Sequence, residues 1–319
     1  MRAPPSQRSP ADLLTFGVLN LDKPPGPSAH QVAEWVREFT ADAVADAGGT
    51  RTVDRVAHAG TLDPKVTGSL PMLLGDAARL ARVFDDAVKE YVAVLEIHGP
   101  APADFESVVA EFEGELYQRP PRKSAVRRRR RVREVYDLEV LEWAERHALL
   151  RVRCESGTYI RKLCHDIGLA LGTGAQMGDL RRTGTAGFND TALVKTETFV
   201  DALAFWAEGD PGPLREVVDP AERVLVGLPR VTIAPSAARE VAEGAPVYAP
   251  GVLGVRPAPA EAPGEVVTTE NDPGNGSVAA EKQLVACYTP DGAAVCLGRL
   301  VDDPDNEAGT VVELERVLV

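Results

Sequence analysis

Asp63 sits between Leu62 and Pro64 in the run HAGTLDPKVTG, with Gly60 and Gly68 on either side. Proline restricts the backbone and glycine lets it turn sharply, so this carboxylate is expected on a rigid loop. Such a group suits a nucleophile or a general base, although an Asp-Pro in a turn is usually only a turn. Arg161, in GTYIRKL, is predicted at a helix start, where the helix dipole mildly disfavours a cation. That conflict hints at a paired role, because a bidentate arginine favours the ionised form of a nearby carboxylate. Tyr91 in KEYV is predicted mid-strand, two residues from Lys89. A strand tyrosine commonly packs, but tyrosine beside lysine also suits stacking on a flipped base next to a phosphate. His58, just before AGTLDP, either orients a substrate or packs the loop.

The sharpest charge signal is 119–133, RPPRKSAVRRRRRVR, with nine basic and no acidic residues. Arg119 opens it, and Arg127, Arg128, Arg129, Arg130 and Arg131 are consecutive. The run reads as a solvated loop or as a phosphate-contacting one, the latter favoured because the rest of the chain is acidic. Arg181 and Arg182 in DLRRTG add a second basic point. The net charge is −13, and only seven of the 35 basic residues are lysine. Acidic surplus with scarce lysine suggests solvation in a high-salt cytoplasm, where long-range attraction to phosphate is screened and short contacts must serve.

These residues need elements to position them. The 319 residues suffice for one large and one smaller unit, and 44% hydrophobic content is ordinary for a globular protein. No apolar run is long enough for a membrane span, and the first residues lack a signal-peptide core, so a cytoplasmic location without membrane association is expected. Four cysteines, without a C-x-x-C pair, are expected as buried or half-buried thiols. No Walker A, GxGxxG or HExxH motif occurs, which disfavours nucleotide-driven or metal-driven chemistry. Residues 1–14 are expected as a flexible arm. GVLNLDKPPG reads as a strand ending in a turn; Ser28 then caps a helix with Val32, Trp35, Val36 and Phe39 at helical spacing. Residues 40–54 read as an exposed insertion. KEYVAVLEIHG alternates as a strand, and residues 136–157 read as a hairpin. TYIRKLCHDIGLAL places Ile160, Leu163, Ile167 and Leu171 on one helical face. After Val226 the texture changes to a mainly β unit, 228–319, carrying an acidic insertion near 258–282 and a D-G hairpin at 291–292.

Several segments, in order, resemble the TruB pseudouridine synthases: LNLDKPPGPSAHQV, HAGTLDPKVTGSLPMLLGDAARL, KEYVAVL, QRPPRKSAVRRRRRVR, ESGTYIRKLCHDIGLALG and MGDLRRTGTAGF. The match spans roughly residues 16–200 and is most similar to the archaeal and eukaryotic dyskerin-like branch. Residues 228–319 resemble a PUA RNA-binding domain. The resemblance implies an α+β fold: a mixed, mostly antiparallel sheet with flanking helices at 15–227, plus the small β-rich domain. It implies that Asp63 attacks the target uridine or takes its proton, that Arg161 pairs with Asp63, and that Tyr91 stacks on the flipped base. It implies that Lys23 and Pro24 support the active-site loop, Leu163 lines the pocket, His58 positions RNA and the arginine run closes over it. No cofactor or metal is implied. Implied partners are a box H/ACA guide RNA, rRNA or tRNA as substrate, and zinc-ribbon, β-barrel and kink-turn-binding proteins. A stand-alone enzyme acting on the tRNA T arm is the second reading, and a scaffold without catalysis the third. Asp63, Tyr91 and Arg161 together argue against the scaffold.

Overall fold

The computed structural model describes residues 1–48, 53–120, 129–259 and 283–319. Its larger sheet uses β1 (Phe16–Lys23), β2 (Val56–His58), β3 (Thr67–Gly75), β4 (Lys89–Ile97), β5 (Gly114–Gln118), β6 (Arg131–Trp143), β7 (His147–Cys154), β8 (Ala175–Thr185), β9 (Phe188–Asn189) and β10 (Asp219–Pro220). A smaller sheet uses β11 (Arg230–Ile233), β12 (Val247–Tyr248), β13 (Val252–Arg256), β14 (Leu284–Tyr288), β15 (Ala294–Leu300) and β16 (Thr310–Val317). The helices are α1 (Pro10–Thr15), α2 (Ala29–Asp46), α3 (Phe105–Ala110), α4 (Ile160–Ala170), α5 (Thr196–Ala207), α6 (Gly212–Val217) and α7 (Pro235–Ala242).

The large sheet runs β10-β1-β3-β8-β4-β7-β6-β5, with β2 on β3 and β9 on β8. Its main-order neighbours pair antiparallel except at β3–β8, where the strands are parallel. The small sheet runs β12-β16-β15-β14-β11-β13. The mixed, mostly antiparallel α+β fold expected from the sequence is what forms. Period-two patterning decides which residues face inward. Along β4, Lys89, Tyr91, Ala93, Leu95 and Ile97 are all buried while their neighbours are half-exposed. Helix α4 covers this face and buries Ile160, Leu163 and Ile167, the stripe read from the sequence.

Two expectations are corrected. Residues 1–14 are packed, not a loose arm. Arg8 is 1% exposed and forms a two-pronged pair with Glu222, at 2.6 Å on both contacts. Ser9 and Asp12 make a capping box for α1, which buries Leu13 and Leu14. The stretch at 40–54 is not wholly an exposed insertion either, because α2 continues to Asp46 and buries Thr40, Ala43 and Val44. Alanine, the strongest helix former, outweighs the small and acidic look of ADAVADA. Trp35, by contrast, points outward at 39% exposure. Residues 260–282, most of the acidic insertion, lie outside the described residues, as do Arg127 and Arg128.

Phe16, Val18, Leu73 and Leu225 on the large-sheet side share one apolar cluster with Ala286, Tyr288, Leu297 and Leu318 on the other. Among the described residues, no helix is long and apolar enough to cross a membrane. All four cysteines are buried and unbridged.

Candidate active site

The loop between β2 and β3 is anchored from within. Leu62 and Val66 are 3% exposed and belong to the core, whereas the Asp63 side chain between them remains 53% exposed. The loop closes through Val66 N–H donating to Asp63 O at 3.0 Å. Lys23, at the end of β1, is wholly buried, and its Nζ donates to the carbonyls of Pro24 at 2.9 Å, Pro64 at 3.0 Å and Val66 at 2.8 Å. Gly26 N–H also donates to Pro64 O, at 2.8 Å. Burial lowers the Lys23 pKa to about 8, the result of placing a cation among backbone dipoles without a carboxylate.

Arg182 secures the other side of the loop. It is 1% exposed, and it donates to Ser69 O at 2.8 Å, Ala59 O at 3.0 Å and Gly60 O at 3.3 Å. Burial lowers its pKa, opposed by its hydrogen bond to Tyr91. Gly60 has φ +81°, and a Cβ there would stand 3.1 Å from Arg182 Nη1 and 3.6 Å from Lys89 Cε. The loop therefore turns at the one residue type that fits over these cations. Lys89 Nζ donates to Phe84 O at 2.8 Å and Ala87 O at 2.9 Å, and burial, aided by Arg182, lowers its pKa to about 7.

Arg161 reaches the loop from the second residue of α4 and forms an ion pair with Asp63 through Nη2 and Oδ2. Both partners are about half exposed, so the pair contributes only about 0–1 kcal/mol to stability and serves mainly to orient. Tyr91 is 9% exposed and lies opposite Arg182 in the β4–β8 register. Its hydroxyl accepts from that guanidinium, and burial raises its pKa to about 12, keeping it protonated. Leu163, on the inward face of α4, joins the same core as Tyr91. His58 is half-buried with Nδ1 unpartnered. Desolvation first, then the charges of Arg182 and His30, lower its pKa.

The structure thus brings Asp63, Arg161, Tyr91, Lys23, Leu163 and His58 to one region. Two residues expected to touch RNA do otherwise. Lys89 and Arg182 are enclosed and committed to backbone carbonyls, so neither offers a surface charge. Strand alternation explains both: each lies on the inward face of its strand. Arg181 is half-exposed and held by Asp22 at 3.0 Å and Asp190 at 3.6 Å. Arg119, Arg129, Arg130 and Arg131 are exposed, and the Arg130 guanidinium lies 6.0 Å from the Tyr117 ring. Sequence reading passed over Gln118, whose amide pairs with the Tyr159 backbone just before Arg161. The available signal was a polar residue ending an alternating strand within QRPPRK. Among the described residues, no three metal-binding side chains cluster.

The chain has known relatives in sequence and in fold. The chain matches the TruB family pseudouridylate synthase (N terminal domain) over residues 50–104 and 97–160. It matches the tRNA pseudouridylate synthase B C-terminal domain over 161–226 and the DKCLD domain over 3–33. It is 61% identical to a "Probable tRNA pseudouridine synthase B" of Haloarcula marismortui, over 100% of this chain and 94% of that protein. Identity to the protein of the same name from Halobacterium salinarum is 54%, over 100% and 99%. Among solved structures, a Cbf5-Nop10-Gar1 complex aligns with TM-score 0.82 and 38% identity, over 100% of this chain and 89% of that one. An H/ACA RNP bound to a substrate RNA containing 2'-deoxyuridine aligns with TM-score 0.82 and 36% identity, over 99% and 89%.

Proposed function

The chain belongs to the TruB family of pseudouridine synthases, and from that premise we propose that Asp63 carries its reaction, the isomerisation of uridine to pseudouridine in RNA. The reaction breaks the N1–C1′ bond, turns the uracil and joins C5 to C1′. One proton leaves C5 and one is gained at N1, so no atoms are added overall. The observation that carries the assignment is the ion pair of Asp63 with Arg161 on a loop braced by buried cations. Arg161 fixes the carboxylate while about half of that side chain stays open to an incoming base. An oriented carboxylate of this kind serves as nucleophile or as base, with positioning supplying much of the rate. Tyr91 lies beneath as a protonated hydroxyl that can face the extruded uracil and hand over a proton. Leu163 and His58 border the base, and the exposed arginines Arg119 and Arg129 to Arg131 hold RNA phosphates.

Uridine selection falls to a guide RNA in this proposal. The support is alignment along the whole chain with a protein solved in complex with Nop10 and Gar1. The chain then acts as the catalytic subunit of a box H/ACA particle on rRNA, with zinc-ribbon, β-barrel and kink-turn-binding partners. Residues 228–319 act as the PUA-like domain that grips the guide, 15–227 are the catalytic domain, and the particle is cytoplasmic. The names of the relatives from Haloarcula marismortui and Halobacterium salinarum point to tRNA as substrate, which supports a second reading: direct modification of tRNA, with the T arm as the proposed target.

One experiment separates the readings. The protein, with and without partners, is incubated in high salt with a tRNA transcript or with a guide–target pair, and pseudouridine is mapped. Guide-only product supports the first reading and product on tRNA without guide the second; no product from either would favour a scaffold. An Asp63→Asn variant that still forms pseudouridine would overturn the assignment of the nucleophile.

A further inference from the structure

We propose that Gln118 is a positioning residue for Arg161, acting through the backbone of Tyr159; this rests on the reading of Asp63 and Arg161 as the reacting pair. The Asp63–Arg161 contact cannot hold its own geometry. Both side chains are about half exposed, and such pairs are weak. Each partner therefore needs support from its backbone. On the Asp63 side, Lys23 and Arg182 clamp the loop carbonyls. On the Arg161 side the corresponding clamp is Gln118.

The geometry is specific. Gln118 ends β5 and is 2% exposed. Its Nε2 donates to Tyr159 O at 3.3 Å, and its Oε1 accepts from Tyr159 N–H at 2.8 Å. One side-chain amide thus uses both ends on one residue's backbone, across 41 positions of sequence. Tyr159 is the N-cap of α4, provides no side-chain cap, and its carbonyl also receives Lys162 N–H at 2.9 Å and Leu163 N–H at 3.0 Å. The first turn of the helix is therefore built on the residue that Gln118 holds. Arg161 lies two residues further on, about 3 Å along the helix axis. A small rotation of the N-cap residue is magnified along the arginine side chain and moves its guanidinium relative to Asp63. Misplacements of this order at a reacting pair are expensive in rate.

Gln118 also lies where the chain departs into the arginine-rich stretch. It pairs in register with Arg131, and its neighbour Tyr117 is 72% exposed beneath Arg130. The RNA-facing end of the β5–β6 hairpin and the start of α4 thus share one buried side chain.

The test compares wild type with Gln118→Ala and with Gln118→Met, which fills the space without polar atoms. Each is assembled as the wild type is for activity, on an RNA that the wild type modifies. Expected are a fall in kcat of about tenfold or more, KM within about twofold of wild type, and faster hydrogen exchange at the Tyr159 amide. In an Arg161→Lys background, Gln118→Met should cost little further, because neighbours acting through one contact are not additive. Full kcat in a folded Gln118→Met variant overturns the positioning role. So does a change confined to KM, and so does an undiminished penalty in the Arg161→Lys background. Wild type without activity on either RNA would overturn the synthase reading, and the positioning role with it; active wild type beside a fully active Gln118→Met variant overturns the latter alone.

Discussion

Replacing Lys89 by methionine tests the claim that the loop stands over desolvated cations. The unfolded lysine titrates near 10.5 and the folded one at about 7, mainly because burial penalises the charged form. Between those values the unfolded chain holds a proton that the folded chain has released, so stability rises with pH. Integrated from about pH 7 to about pH 8.5, Lys89 contributes roughly 1.5 kcal/mol of added stability. Lys23, at about 8, adds roughly 1 kcal/mol over the same window by the same linkage. The buried thiols Cys154 and Cys164 act in the opposite sense only nearer their unfolded value of 9.0, since burial raises both to about 12. At roughly 2 °C per kcal/mol, wild type should gain about 5 °C in Tm across the window and Lys89→Met about 2 °C. The absolute Tm of the variant is a poorer test. Relief from desolvating the cation is set against two carbonyls, Phe84 O and Ala87 O, that lose their donor at about 1–3 kcal/mol each. The assay is thermal unfolding followed by circular dichroism in matched buffers at fixed salt. Parallel Tm profiles for the two proteins would refute the argument, because Lys89 would then carry the same proton folded and unfolded.

Glu222→Gln leaves the Arg8 guanidinium charged and buried and weakens the acceptor used by Ala294 N–H at 3.0 Å. The expected loss is about 3–5 kcal/mol, read as a Tm drop of roughly 6 °C or more in calorimetry. Gly60→Ala forces a side chain onto a φ of +81° and should cost about 1–2 kcal/mol of strain. Steady-state kinetics should place its functional effect in kcat, with RNA affinity unchanged. Alanine at Arg129, Arg130 and Arg131 together should weaken RNA binding and flatten the plot of log Kd against log salt by about 2–3 units of slope. Filter binding across a salt series checks it, and an unchanged slope would mean these residues touch no phosphate.

The residues proposed to react were legible as candidates from local signals, and the family segments in order are what singled them out. A Gly- and Pro-bracketed aspartate and an arginine at a helix start can be read without knowing what packs on them, and the alternation of β4 and the stripe on α4 announce their own inward faces. Lys89 was misread although its pattern was complete. Period two carries it to the same face as Tyr91 and Ala93, but a charged residue beside a tyrosine invites a surface role. Arg182 needed the register that sets it opposite Tyr91. Residues 1–14 looked loose because the partner of Arg8 lies 214 positions away. Gln118 was passed over for the same reason: its meaning is the Tyr159 backbone, which only the fold brings near.

The placement of cations divides the work of this acidic chain in two. Lys23, Lys89 and Arg182 are buried and donate to backbone carbonyls. Bulk salt screens such contacts far less than exposed ones, because mobile ions do not reach them. The exposed arginines near the β5–β6 hairpin face solvent, where concentrated salt shortens their reach to direct contact. With a net charge of −13, the surface as a whole repels phosphate, so RNA must be captured locally rather than steered from a distance. Within the proposed function, the loop at Asp63 rests on Lys23 and Arg182 of the first set, and substrate capture falls to the second. On that proposal, ionic strength alters how readily RNA arrives without disturbing the Asp63 loop.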